Sequence, residues 1–469
     1  MPEHAQLTAK TLQALHADLT KLIMPELQSS NAKVAAAMIG DILRHFAVWQ
    51  SEMPNAIVNH IAVQQNLLTQ APVTATAVID GLASDYPDAP PAYFKTAASL
   101  GAAVAASSQS DRAWLAKVNE ADLALYAQED QLMQAEVRDA PGRLARVEVE
   151  VTEDLLMQLF EAHLGADASR TIESFARASG GYSKDTFLVE VRSRGGSQSL
   201  AIRRDMPAGP TEKSVLDEFE PLVKLKAAGL PIAKPLFADA AAILGQPAIA
   251  SVRVSGAAGT ADWQDDPVRR ARLCKQFASM LANLHRIEPG QVLPTTVNEP
   301  REALRAYVLE WQDRWLRNRV HPSPLLEVAF RWLLDNIPQR IERLAIVHGD
   351  VGFHNMMTDG DQVTAVLDWE FVHVGDAIED LSYCRPAIEA LMPWDEFLSM
   401  YTAEGGVRYQ GDSARFFNTW RSVRNAVCCA VSWRGFVSGA YPALKMAYLG
   451  IALYRHFLRD VATNLKGVL

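Results

Sequence analysis

Three side chains have the types and the spacing for chemistry. In Val347-His348-Gly349-Asp350-Val351-Gly352-Phe353-His354-Asn355, an Asp and an Asn stand five positions apart in a loop bounded by apolar strands. Asp368 follows at the end of the next hairpin, in Val366-Leu367-Asp368-Trp369-Glu370. Asn355 and Asp368 offer two oxygen ligands to a hard cation and leave Asp350 free to act as a base. Mg²⁺ takes few protein carboxylates and fills its other positions with water and phosphate oxygens. These parts suit phosphoryl transfer, in which a base orients and deprotonates an alcohol while a metal bridges the nucleotide phosphates. A lone His-Gly-Asp tripeptide is common, and Asp368 alone could be an N-cap. The joint pattern, in order and in strand context, is what points to a reaction.

The segment resembles the catalytic loop of protein kinases and is more similar still to the aminoglycoside phosphotransferase and choline kinase superfamily. That superfamily carries His-Gly-Asp, then Asn at this spacing, then a strand ending in Asp-Trp-Glu. The likeness continues through Gly375-Asp376-Ala377-Ile378-Glu379-Asp380-Leu381. It implies Asp350 as catalytic base, Asn355 and Asp368 as ligands of Mg²⁺, and ATP as phosphoryl donor. His348 and His285, the latter in Ser279-Met280-Leu281-Ala282-Asn283-Leu284-His285, are expected to organise rather than react.

Upstream residues fill the remaining places of a nucleotide kinase. Gly180-Gly181-Tyr182-Ser183-Lys184-Asp185-Thr186 lies between two strand-like runs, where backbone N–H groups can approach phosphates. Ser183 or Lys184 could add a phosphate contact; an ordinary hairpin turn reads equally well. Leu200-Ala201-Ile202-Arg203 occupies the place of the protein-kinase Val-Ala-Ile-Lys. Period-two alternation puts Ala201 and Arg203 on one face, which favours Arg203 over Arg204 as the nucleotide-facing cation. Arginine grips two oxygens at once and stays protonated, so its presence instead of Lys is compatible with activity. Glu218, with Glu220 as competitor, is the expected carboxylate partner from the next helix. Ser251 and Val252 lie in the strand and hinge expected to meet the adenine edge.

The elements that must position these groups change character along the chain. Residues 6 to about 145 show helical stripes such as Leu12, Leu15, Leu19, Leu22 and Ile23. A helix is expected over Ala121–Val137, and a linker around Asp139-Ala140-Pro141-Gly142. A helix from about Glu153 to Leu164 precedes strands at Ile172–Ala178, Thr186–Arg192 and Ser199–Arg204, and an amphipathic helix runs from Thr211 to Ala228. Strands first and helices later predict an α+β, two-lobed, protein-kinase-like fold: a small antiparallel N-lobe, a mainly helical C-lobe, and an all-α domain ahead of both. The expected boundaries are 1–145, 150–256 and 257–469.

Composition narrows the class. Of 469 residues, 49% are hydrophobic and 21% charged, which excludes a disordered or fibrous chain. A net charge of −10 argues against a nucleic-acid partner. Four cysteines without CxxC spacing cannot form a disulfide framework, and no stretch reads as a signal or membrane span, so a cytoplasmic location is expected.

The acceptor should be set by helices over about 300–340 and 390–465. Arg421, Arg424 and Arg434 there suggest an anionic hydroxy acid or hydroxyacyl-CoA; solvated or paired arginines are the plain alternative. Arg203 on the third strand makes the chain most similar to the kinase-like proteins associated with acyl-CoA dehydrogenases. An ATP-binding pseudokinase, or a kinase of aminoglycosides or amino alcohols, stays open. The N-terminal helices are expected to serve a homodimer or a partner enzyme.

Overall fold

The computed structural model describes residues 16, 19–28, 30–51, 53–72, 91–107, 111–134, 151–178, 183–206, 209–294, 299–320, 322–438, 440–441 and 443–468. Among the described residues, a π turn at Leu19–Ile23 and a 3₁₀ turn at Met24–Glu26 come first, followed by the α-helices α1 (Ser30–Ser51), α2 (Met53–Thr69), α3 (Pro91–Ala106) and α4 (Arg112–Gln134). Helix α4 starts well before the expected Ala121. The linker expected around 139–142 lies outside the described residues, as do Gly180 and Gly181.

After α5 (Glu153–Leu164) the strands begin: β1 (Thr171–Arg177), β2 (Lys184–Ser193) and β3 (Gly196–Asp205). Helix α6 (Val215–Ala227) leads to β4 (Pro235–Asp239), β5 (Ala248–Val252) and the short β6 (Ala257–Ala258). Helices α7 (Pro267–Arg286), α8 (Pro300–Asn318) and α9 (Pro324–Asp335) precede β7 (Leu344–Val347), β8 (Met356–Asp359), β9 (Gln362–Val366) and β10 (His373–Asp376). The chain ends in α10 (Ile378–Glu389), α11 (Trp394–Ala403), α12 (Gly411–Val437) and α13 (Leu444–Tyr448), which passes through a π turn into α14 (Tyr454–Leu465). Among the described residues no helix is long and apolar enough to cross a membrane.

These elements form two compact units, each discontinuous in sequence. One gathers the described residues of 1–146, 307–337 and 419–469; the other takes those of 147–306 and 338–418. The expectation of three consecutive segments therefore meets a different division: the first helices share their unit with later stretches of the chain.

The helical unit is built around Trp49, Met53, Ile57, Leu125, Ala447 and Ile451, which pack as one core. The polar ends of its aromatics are satisfied within it. Trp49 Nε1 donates to Glu129 Oε1 at 2.7 Å, and Trp114 Nε1 to the Leu67 carbonyl at 2.9 Å. Asn119 Nδ2 donates to the Ala462 carbonyl at 3.1 Å, tying α4 to α14, and α9 packs on α3.

The other unit opens with a five-stranded antiparallel sheet in the order β1-β2-β3-β5-β4. Helix α5 is started by Thr152, whose side chain accepts from the Leu155 N–H, with Glu153 and Asp154 in the first turn. It lays Leu156, Leu159 and Phe160 on Phe187, Val189 and Leu200 of the sheet. Each fully buried Leu or Phe of this layer contributes about 1.5–3 kcal/mol. Strand β3 alternates as expected: Leu200, Ile202 and Arg204 are buried, while Ala201 and Arg203 lie on the opposite face. Beyond β5, Gly256 has φ 100°, and a Cβ there would stand 2.0 Å from the Thr358 carbonyl oxygen. Only glycine lets β6 come close enough to pair with β8 in the three-stranded sheet β6-β8-β9.

Candidate active site

The loop after β7 is held by one fully buried carboxylate. Asp380, in the first turn of α10, accepts from the N–H groups of His348 and Gly349, both at 2.8 Å. Its Oδ2 also faces His285 Nε2 at 3.1 Å. Burial works against its charge, but the bonds from His285 and the nearness of His348 outweigh that and hold the Asp380 carboxyl below the usual range. His285 Nδ1 meets the Tyr401 hydroxyl at 2.8 Å, so both ring nitrogens are engaged and the ring is an organiser. Gly349 takes φ 81°, a conformation open to glycine, and this turn aims both N–H groups at Asp380.

His348 fixes the next residue. The Asp350 N–H donates to His348 Nδ1 at 3.2 Å, which assigns the ring proton to Nε2, 3.0 Å from the Leu367 carbonyl. Burial pushes the His348 pKa down, against the pull of the Asp380 and Asp350 charges, so the ring is neutral at neutral pH.

Asp350 lies at the centre of this arrangement. Asn355 Nδ2 donates both to its carbonyl and to its Oδ2, each at 3.0 Å. His354 Nε2 stands 3.6 Å from the same Oδ2, and the Tyr383 hydroxyl donates to Oδ1. With its amide nitrogen spent on Asp350, Asn355 has its Oδ1 left as an acceptor, the atom a hard cation would use.

A second constellation surrounds Arg203. Its Nη1 donates to Glu218 Oε2 at 2.6 Å and its Nη2 to Asp368 Oδ1 at 2.9 Å, so one guanidinium ties β3, α6 and the segment after β9 together. Burial would lower the Arg203 pKa, but the charges of Glu218, Asp368 and Glu370 raise it further. Helix α6 starts on a capping box between Ser214 and Asp217, which sets Glu218 in its first turn and buries it. Burial pushes the Glu218 carboxyl up, and Arg203 and Lys184 pull it back without cancelling the rise. Glu220, the competitor, is exposed and pairs with Lys224 instead. Arg204 is buried on the other face of the strand, bonded to Asp185 and the Leu244 carbonyl and stacked over Phe187.

Some expected residues stand elsewhere. Lys184 is buried, and its ammonium donates to Asp205 Oδ1 at 2.9 Å and to the Lys213 carbonyl. The place read as a phosphate contact is thus an internal ion pair: Lys184 opens β2 opposite Asp205, on the sheet face that also carries Arg203. Ser183 is buried as well and hydrogen-bonds Glu370. Ser251 pairs with Ala201 inside the sheet. The Val252 N–H already donates to the Lys234 carbonyl at 2.9 Å, and the Arg253 N–H to that of Ser199 at 2.9 Å. A backbone donor for an adenine edge must come from beyond Arg253. Arg421, Arg424 and Arg434 lie in the part of α12 that belongs to the helical unit. Arg424 is buried, Arg421 half-buried and Arg434 exposed, so they do not share one surface.

Two residues at the site were not assigned roles from sequence. Glu370, two positions after Asp368, is buried, and its carboxyl is pushed up to about 8 by burial and by the charges of Asp368 and Glu218. Its spacing from Asp368 was a signal. Tyr383 offered none, because its reach to Asp350 depends on the placement of α10.

A small antiparallel sheet followed by helices and a loop carrying Asp350 and Asn355 is the two-lobed, protein-kinase-like fold, here preceded in sequence by helices. A crystal structure of a candidate aminoglycoside phosphotransferase from Ralstonia eutropha shares it. That structure has a TM-score of 0.51 and 17% identity, covering 67% of this chain and 98% of its own. The family model of the phosphotransferase enzyme family matches residues 174–424, more than half of the chain. The chain belongs to that family. It also resembles acyl-CoA dehydrogenase family member 11 of Mus musculus, at 26% identity over 227 residues, covering 47% of this chain and 28% of the relative. Acyl-CoA dehydrogenase family member 10 of the same organism is 22% identical over 253 residues, covering 51% and 23%. The chain spans about a quarter of the length of these relatives.

Proposed function

We propose that the chain is an ATP-dependent small-molecule kinase, cytoplasmic, whose acceptor is the hydroxyl of an anionic hydroxy acid or hydroxyacyl-CoA. The observation that carries the reading is the fork of Arg203, which joins Glu218 and Asp368 in the same unit as Asp350 and Asn355. A fixed cation, two oxygen donors and a base are the parts phosphoryl transfer needs.

Asp350 orients the acceptor hydroxyl and takes its proton while the acceptor oxygen bonds to the γ-phosphorus and ADP leaves. Arg203, placed by Glu218, binds phosphate oxygens with its planar fork. Asn355 Oδ1 and Asp368 are suited to hold Mg²⁺, which when bound neutralises phosphate charge. Among the described residues no group of three or more His, Cys, Asp or Glu is placed to hold a metal, so the rest of its shell would be water and phosphate.

The anionic acceptor is supported by the acyl-CoA in the names of the curated relatives. Phosphorylating such a hydroxyl makes it a better leaving group for a later elimination, which a partner enzyme docked on the N-terminal helices could catalyse; a homodimer through the same helices is the other arrangement. Transfer of labelled phosphoryl from ATP, screened over hydroxyacyl-CoAs, hydroxy acids, amino alcohols and aminoglycosides, tests the reading. Hydroxyacyl-CoAs or hydroxy acids should be labelled, and Asp350→Asn should lower the rate by about 10²–10⁴-fold. Labelling confined to aminoglycosides or amino alcohols would refute the acceptor class.

The contact of Arg203 with Asp368 favours a second reading, a pseudokinase whose metal carboxylate stays committed to an internal ion pair. A thermal shift with ATP and Mg²⁺ but no transfer to any of these acceptors would select it.

A further inference from the structure

Helix α10 holds the Asp350 loop at two levels. Asp380 binds the backbone of His348 and Gly349, as described above. Tyr383 lies three residues further on, hence on the same helical face, and reaches the next residue of the loop. Its hydroxyl donates to Asp350 Oδ1, while Asn355 Nδ2 donates to Oδ2 at 3.0 Å. The two carboxylate oxygens are thus held by donors from two different elements, α10 and the loop's own 3₁₀ turn at Phe353–Asn355.

A base needs a fixed direction. A phenol donating to an ionised carboxylate makes a charge-assisted bond, which is short, directional and stronger than a neutral one. The Tyr383 and His354 rings lie 6.4 Å apart at a 40° tilt, flanking the carboxylate.

We infer that Tyr383 is a positioning residue for phosphoryl transfer, whose hydroxyl aims the Asp350 carboxylate. This inference rests on Asp350 being the base.

Tyr383→Phe keeps the ring and removes the donor. Hydrolysis of ATP with Mg²⁺, water acting as acceptor, gives the readout. There kcat should fall about tenfold, as expected for one lost charge-assisted hydrogen bond, while KM for ATP and the melting temperature hold. An unchanged kcat overturns the inference. So does a loss of rate carried by KM, or one accompanied by a lowered melting temperature, which is the mark of a structural role. If Asp350→Asn hydrolyses ATP at the wild-type rate, the assignment of the base falls and the inference with it.

Discussion

Glu370 shows how far a buried site changes one side chain. Its carboxyl, pushed up to about 8 by burial and then by Asp368 and Glu218, keeps its proton at neutral pH. The unfolded chain would release that proton near pH 4.3. Between those values the folded state binds more protons than the unfolded one, so this contribution to stability is lost as pH rises from about 4 through about 8. Lys184 and the bond from Ser183 oppose the shift without cancelling it. Glu370→Gln, permanently neutral, should flatten the dependence. Melting temperatures at pH 6 and pH 9 check this: the wild type should lose more than the variant, and equal losses would show that Glu370 ionises normally.

At the scale of elements, the approach of β6 to β8 depends on Gly256. Gly256→Ala places a Cβ against backbone, not a movable side chain, at a left-handed φ. The expected cost is about 3 kcal/mol or more, read as a lowered midpoint in urea with little change in m. What could be read in advance at this scale follows local rules. Alternation in β3 separated Arg203 from Arg204, because period is a property of a few neighbouring residues, whereas Glu218 was preferred to Glu220 on the family resemblance and its first-turn place came only with the structure. Lys184 was read as part of the turn, but β2 begins two residues earlier than expected and its ammonium is taken by Asp205 and the Lys213 carbonyl, partners no local pattern names. Val252 was misjudged because its N–H is spent on Lys234, a partner from outside its own strand. Tyr383 was invisible for a like reason: its function lies 33 positions away in sequence, across a helix placement that no local pattern fixes.

For the whole molecule, the consequential finding is the shared helical unit. Trp49, Met53 and Leu125 are buried in one core with Ala447 and Ile451. A chain begun at residue 151 would leave that core half made and expose the apolar faces of α13 and α14, although every described residue of the unit that carries Asp350 would be present. Such a chain should aggregate or melt well below the full-length protein. Size-exclusion chromatography and thermal unfolding of the two chains check this. A monodisperse truncated chain with an unchanged melting temperature would show that the N-terminal helices add nothing to the stability of the rest.

That shared core also sets an order on biogenesis. The last N-terminal helix is complete at Gln134, but the C-terminal helices that finish its unit start only at Thr419. At about 5–20 residues per second, the early helices wait on the order of tens of seconds after leaving the ribosome before the last of their partners exist. During that interval the unit carrying Asp350 can close first, being encoded almost wholly between them. The first helices made therefore belong to the core that is completed last.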